Sequence, residues 1–277
     1  MNGAQLLREG VATLRAAGIQ SPERDARRLL AHASGIETDR LVVQSTKPVS
    51  MAVRAVFEAS IADRCKHKPI AQIIGVRHFY NHEFCVNGAT LDPRPETETL
   101  IDAALAGTFD TVLDLGTGTG AILLTLLAER EKAQGIGTDV SRDALAVARL
   151  NSVRLNLQTR AKFAVQDWFE GQSGRFDLIV SNPPYISAQA FARLDPDVRL
   201  WEPKIALTDE GDGLSAYRRI IPDAPAFLNN GGRLIVEIGA EQGAAVMALF
   251  QENGFRRVVV HADLDGRDRV VSGLFIG

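Results

Sequence analysis

The chain has 277 residues, 45% apolar and 23% charged, a balance that excludes disordered, collagen-like and coiled-coil classes and allows a sizeable core. A formal charge of −3 argues against a protein that grips long nucleic acid by neutralising phosphates. Two cysteines, Cys65 and Cys85, make a disulfide framework implausible, so a reducing cytosol is expected, with both thiols as plain core residues. No apolar run approaches the roughly 18 residues of a membrane span, so a cytoplasmic protein with no membrane segment is expected.

Residues 1–68 read as helices. Leu6, Leu7, Val11 and Leu14 recur at three- and four-residue spacing, and Ser21, Pro22 and Glu23 form an N-cap, first-turn proline and early acid. This segment holds 11 Lys and Arg against 7 Asp and Glu, a net +4, and the other 209 residues hold 20 against 27, a net −7. The asymmetry could steer a partner and makes the helical part the candidate docking surface, but by charge alone a solvated helix face is the commoner reading, since mixed charge there is ordinary. Two β-like runs follow, at 73–76 and 79–86, with Asn81 in the turn, so residues 69–92 read as a hairpin linker. Residues 93–277 form the remaining domain. Pro93 and Pro95 fix a rigid lead-in, and Glu96 and Glu98 open a helix through Leu100, Ile101 and Leu105.

Seven apolar runs then read as strands, at 112–115, 135–140, 163–165, 178–180, 234–236, 258–260 and 270–276. Helices are expected between the first five at the spacing of parallel βαβ units. Residues 261–269 are too few for a crossover helix, so the last two strands should be antiparallel. The expected architecture is α/β, a doubly wound, mostly parallel seven-stranded sheet with one reversed strand near its end.

Asp114, Leu115, Gly116, Thr117, Gly118, Thr119 and Gly120 follow a strand and open a helix, where glycines let a ligand approach the backbone. About 20 residues on, Asp139 ends the next strand, placed to accept hydrogen bonds from ribose hydroxyls. The spacing G-x-G-x-G departs from the dinucleotide fingerprint G-x-G-x-x-G, which disfavours a nicotinamide dehydrogenase, and it resembles class I S-adenosylmethionine-dependent methyltransferases. Trp168, after the third strand, offers a ring face for adenine or is a structural tryptophan. Asn182, Pro183, Pro184 and Tyr185 directly follow the fourth strand; by composition such a string arises roughly once in a thousand chains of this length. Two prolines hold the backbone extended, so that the Asn182 side chain and the Pro183 carbonyl can both aim acceptors at one planar nitrogen, with Tyr185 stacked on the planar group. That suits an amide or an exocyclic amine.

These motifs together resemble the PrmC/HemK family, peptide chain release factor glutamine N5-methyltransferases, over almost the whole chain. Pro69 to Gly75, Phe79, Phe84, Pro93 to Glu98, the glycine loop, Asn182 to Tyr185, Glu202 with Pro203, and Asp212, Gly213 and Leu214 carry the likeness. Asp92 departs from it, standing where the family has an apolar residue. The resemblance implies a class I methyltransferase fold, with Gly116, Thr117, Gly118, Thr119, Gly120, Asp139, Trp168 and Asn182 binding S-adenosyl-L-methionine. It also implies that Asn182, Pro183, Pro184 and Tyr185 hold the glutamine of a release factor Gly-Gly-Gln loop and catalyse its methylation. S-adenosyl-L-homocysteine is then the product. No metal is expected, since the five histidines lack ligand spacing, and a monomer with neither direct nucleic-acid binding nor a membrane partner is expected. Arg94, Glu96 and Glu98 either shape the substrate entrance or form surface salt bridges, and Glu237 either lines the site or is a satisfied strand-end acid. The rival readings are a methyltransferase for amino groups of adenine or guanine in DNA or RNA, disfavoured by the acidic catalytic part, and an inactive cofactor-binding adaptor.

Overall fold

The structure, a computed structural model, describes residues 2–38, 40–41 and 47–277. The remainder of the expected helical segment lies outside the described residues. By its internal contacts the chain divides into two compact units, Met1–Val76 with Asp195–Trp201, and Arg77–Leu194 with Glu202–Gly277.

The first unit is helical. Its helices are α1 (Gly3–Ala16), α2 (Pro22–Ser34), α3 (Met51–Cys65) and α4 (Ile70–Ile74). Asn2 caps α1 in a reciprocal box with Gln5, satisfying first-turn amides. Ser21 occupies the N-cap position of α2 with Pro22 inside the first turn, but its hydroxyl makes no capping bond. Leu6, Leu14, Leu29, Phe57 and Ile61 close the core of this unit. Arg64, with its side chain 8% exposed, meets Asp25 Oδ2 at 2.9 Å and Asp197 Oδ2 at 2.7 Å, and donates to the Lys68 carbonyl. The β-like run expected at 73–76 is not formed: Ile73 and Ile74 end the helix 70–74, which Pro69 opens and Gly75, at φ +86°, closes.

A hairpin of β1 (Val76–Phe79), whose first residue ends the first unit, and β2 (His82–Cys85) turns at Tyr80 and Asn81 and opens the second unit. A short 3-10 turn, Pro95–Thr97, leads into α5 (Glu98–Leu105), the helix expected there. Then follow β3 (Thr111–Leu115), α6 (Ala121–Glu129), β4 (Gln134–Asp139), α7 (Arg142–Arg154), β5 (Ala161–Val165), β6 (Phe176–Ser181), α8 (Ala188–Phe191), α9 (Pro196–Arg199, within the first unit), α10 (Ser215–Phe227), β7 (Leu228–Glu237), α11 (Gly243–Glu252), β8 (Arg256–Ala262) and β9 (Asp268–Leu274).

The sheet order is β5-β4-β3-β6-β7-β9-β8, parallel throughout except for β9, which runs antiparallel to both neighbours. The mostly parallel seven-stranded sheet and its antiparallel final pair are therefore present as expected. One expectation fails: residues 166–175 join β5 to β6 without a helix, and a turn carrying Trp168 and Phe169 takes its place. Central strands read as continuous apolar runs because both faces are covered. Leu100, Ile101, Leu123 and Leu126 pack on one face with Phe79 and Phe84, and Tyr217, Ile220, Ile221 and Phe250 pack on the other. The order reverses at β3, whose neighbours are β4 and β6, and open α/β sheets place ligands outside the strand ends at such a point. Cys65 and Cys85 are free and half-buried rather than core residues. Among the described residues no helix is long and apolar enough to cross a membrane.

Candidate active site

At the carboxyl ends of β3, β4 and β6 lies a cavity of about 400 Å³, inside the ~300–1,000 Å³ range of small-molecule sites. Gly116, Thr117, Gly118, Thr119, Asp139, Trp168, Asn182, Pro183 and Pro184 all line it, so residues more than 60 positions apart in the chain converge on one cavity, whereas Gly120 is absent from its wall.

The glycine loop is held from beneath. Asp114, completely buried, accepts the Thr117 hydroxyl at 2.6 Å and the Leu123 amide at 3.3 Å on Oδ2, while its Oδ1 has no partner. Burial pushes the Asp114 carboxyl up to about 7. Thr119 receives the Ala121 amide on its hydroxyl and the Asn151 side chain on its carbonyl, and Asn151 also grips Cys85 through both backbone groups. The hairpin is thereby tied to the loop. The Thr117 hydroxyl gives its proton to Asp114, whereas the Thr119 hydroxyl only accepts and keeps its proton. Gly120 stands at φ +79° as the N-cap of α6, where a Cβ would meet Leu124 at 3.1 Å and Ala148 at 3.3 Å.

Asp139 ends β4 with Oδ2 accepting the Gly118 amide at 3.0 Å and Oδ1 accepting the Ser141 amide at 2.9 Å. Burial raises its pKa, and these backbone bonds oppose the rise. Each oxygen keeps a lone pair for a ligand hydroxyl. Trp168, in the left-handed region at φ +50°, brings its ring to 3.8 Å from where a Cβ on Gly116 would lie. A ribose acceptor, a flat ring and a side-chain-free loop thus meet in one cavity, and these residues fit an adenosine-bearing cofactor such as S-adenosyl-L-methionine.

Asn182 follows β6, its Nδ2 3.5 Å from the Thr97 hydroxyl oxygen. Tyr185 departs from the expected stacking position. It is absent from the cavity wall; its ring packs with the apolar cluster around Tyr217 and its hydroxyl donates to Glu237 Oε1 at 3.2 Å. The reason is the backbone: Gln242 Nε2 donates to the carbonyls of Tyr185 and Gly213, at 3.0 and 3.1 Å, turning the side chain inward. Glu237 lies behind this tetrapeptide rather than in the cavity, 1% exposed, its carboxyl pushed up to about 7 by burial against the opposing effects of Thr97, Arg269 and Tyr185.

Arg94 lines the cavity and pairs with both oxygens of buried Glu202, at 2.7 and 2.6 Å. Burial lifts Glu202 to about 7 even so, with Arg94 lowering it and Asp92 raising it. Asp92 also lines the cavity, 4% exposed, with Oδ1 unpartnered and its pKa raised by burial. Glu98 accepts the Tyr80 amide and belongs to the hairpin junction, while Glu96 is exposed. Thr97 also lines the cavity, and Gln242 and Gly213 hold the Tyr185 backbone beside it. Thr97 sits inside the Pro93 to Glu98 string and Gly213 beside Asp212, but Gln242 carries no local signal.

Residues 5–75 match the PrmC N-terminal domain and residues 90–195 the methyltransferase small domain. The release factor glutamine methyltransferase of Cereibacter sphaeroides is 54% identical over 272 residues, covering 98% of both chains. The chain belongs to the release factor glutamine methyltransferase family. The family's protein from Agrobacterium fabrum is 42% identical over 94% of this chain and 92% of its own. A methyltransferase from Pyrococcus furiosus, 17% identical, superposes with a TM-score of 0.51 over 78% of this chain and 96% of that one, and shares the class I methyltransferase fold.

Proposed function

We propose that the protein methylates the side-chain amide nitrogen of a glutamine in a peptide chain release factor, the glutamine of its Gly-Gly-Gln loop, using S-adenosyl-L-methionine. The observation that carries this reading is one cavity lined by the glycine loop, Asp139 and Trp168 together with Asn182, Pro183 and Pro184. The relative from Cereibacter sphaeroides, 54% identical and bearing the name release factor glutamine methyltransferase, supports the choice of substrate.

When bound, the cofactor supplies an electrophilic methyl group on a sulfonium. Gly116 to Gly120 admit it to the backbone, Asp139 accepts its ribose hydroxyls and Trp168 covers its adenine. Asn182 Oδ1 and the Pro183 carbonyl accept the two hydrogens of the substrate amide. An amide nitrogen is a poor nucleophile because its lone pair is delocalised, and holding both hydrogens in a fixed frame favours pyramidalisation toward the methyl group. These acceptors strengthen as the nitrogen becomes cationic, so they act chiefly in the transition state. No dedicated base is required, because the methylated amide is strongly acidic and loses its proton to water.

Residues 1–68 are assigned to docking the release factor, 69–92 to linking and 93–277 to catalysis. Arg8 and Arg27 are exposed on the helical unit. Replacing both with Glu should raise KM for the release factor and leave kcat intact; an unchanged KM would remove the docking role. For the site, Asn182→Ala should keep the fold yet lose transfer by about 100-fold or more. Retained turnover would sink the assignment.

A further inference from the structure

Asn182 must present its side-chain oxygen, not its nitrogen, to a substrate amide, and the two ends of a carboxamide have nearly the same shape. Something must fix which end faces the cavity. Thr97, 4% exposed, sits 3.5 Å from Asn182 Nδ2. Behind it lies Glu237, 1% exposed, whose Oε1 accepts the Tyr185 hydroxyl while Oε2 is buried with no partner, and the Thr97 side chain is near enough to lower the pKa of this carboxyl. A threonine hydroxyl has a single proton to give.

We propose that Glu237 and Thr97 are positioning residues for Asn182: Glu237 Oε2 takes the Thr97 hydroxyl proton, so the Thr97 oxygen can only accept from Asn182 Nδ2, and Asn182 Oδ1 is left for the substrate. The inference rests on the proposed methylation of an amide and adds the device that orients its acceptor. Tyr185 closes the same network from the other side, since its hydroxyl occupies Oε1 and leaves Oε2 for Thr97.

The direction of the chain depends on Glu237 being ionised. Around it stand Arg269 of β9, Tyr217 of α10, Tyr185 after β6 and Glu96 of the 3-10 turn; among them Arg269 is the one cation and favours the carboxylate. A proton on Oε2 makes that atom a donor to Thr97, turns the Thr97 proton toward Asn182 and calls for Oδ1 to face it. The cavity then receives Nδ2, a donor where an acceptor is needed. Turnover therefore falls as the pH drops through neutrality.

The test compares Thr97→Val, Thr97→Ser and Glu237→Gln with the unmodified full-length protein, using S-adenosyl-L-methionine and purified release factor. Valine and glutamine should lower kcat on the order of 100-fold, the scale of one misdirected acceptor, with affinity for S-adenosyl-L-homocysteine unchanged. Serine, which keeps the hydroxyl, should restore turnover, and the neutral-pH limb of kcat should vanish in Glu237→Gln. Turnover in valine and glutamine variants within about threefold of the parent, or serine falling as far as valine, overturns the proposal. Side-chain amide exchange of Asn182, followed by NMR, supplies a readout independent of turnover: its Nδ2 protons should be protected in the parent and exposed in Thr97→Val. Unprotected protons in the parent refute the positioning role even if the release factor is methylated. If the release factor is not methylated at all, the substrate reading fails while amide exchange still decides the orientation of Asn182.

Discussion

Asp139 Oδ2 accepts the backbone amide of Gly118 at 3.0 Å, joining the tip of β4 to the crest of the glycine loop. The acid assigned to the ribose therefore also holds the loop that faces the cofactor. Asp139→Ala removes a charged acceptor with about 1.5–3 kcal/mol per bond at stake. Affinity for S-adenosyl-L-homocysteine should fall by at least tenfold in calorimetry, with secondary structure unchanged; undiminished affinity would show that the carboxylate serves the loop alone.

Gly213 packs against the backbone at the end of the Asn182 to Tyr185 segment. At φ +80° it passes so close to the Asn182 to Tyr185 segment that a Cβ would lie 2.2 Å from the Tyr185 carbonyl oxygen. That oxygen is also where Gln242 donates. Gly213→Ala should cost on the order of 1–3 kcal/mol, lowering Tm by several degrees, and should reduce kcat more than cofactor affinity. Equal losses in both would show a general collapse rather than a displaced tetrapeptide.

Much of this arrangement was legible in the sequence where the signal is local. The glycine loop follows an apolar run, and Asn182 follows another, so placing both at strand ends required only the alternation of strands and helices. Ile73 and Ile74 favour a strand at 73–76, but Pro69 and Gly75 act as helix boundaries and override them. The pairing of Arg94 with Glu202 joins residues far apart in the chain, and the inward turn of Tyr185 is set by Gln242, over 50 positions later. No pattern around either residue announces such partners, because tertiary packing alone brings them together.

Asp114 makes folding stability depend on pH. Its folded pKa, raised to about 7 by burial, exceeds the ordinary value of 3.8, so between about pH 4 and 7 the folded chain holds a proton that the unfolded chain releases. The contribution to stability is full below that window and is lost as the pH rises through it. Asp114→Asn lacks this titration. The Tm of the asparagine variant minus that of the parent should therefore be larger at pH 8 than at pH 5; a constant difference would contradict the shifted carboxyl.

Arg64 is the buried cation of the helical unit, serving Asp25, Asp197 and the Lys68 carbonyl together. Arg64→Met retains bulk but strands a buried carboxylate, a loss of about 3–5 kcal/mol. Chemical denaturation should show it, and Arg64→Met paired with Asp25→Leu should recover part of it. A single variant as stable as the parent would mean the pair is solvated in solution.

The most direct test of the central claim is incubation of the protein with methyl-labelled S-adenosyl-L-methionine and, separately, purified release factor, total RNA and DNA, followed by peptide mass mapping of labelled product. The account predicts label on one glutamine side chain of the release factor, within its Gly-Gly-Gln loop, and its loss with Asn182→Ala. Label confined to RNA or DNA would leave the fold and cavity in place and contradict the substrate.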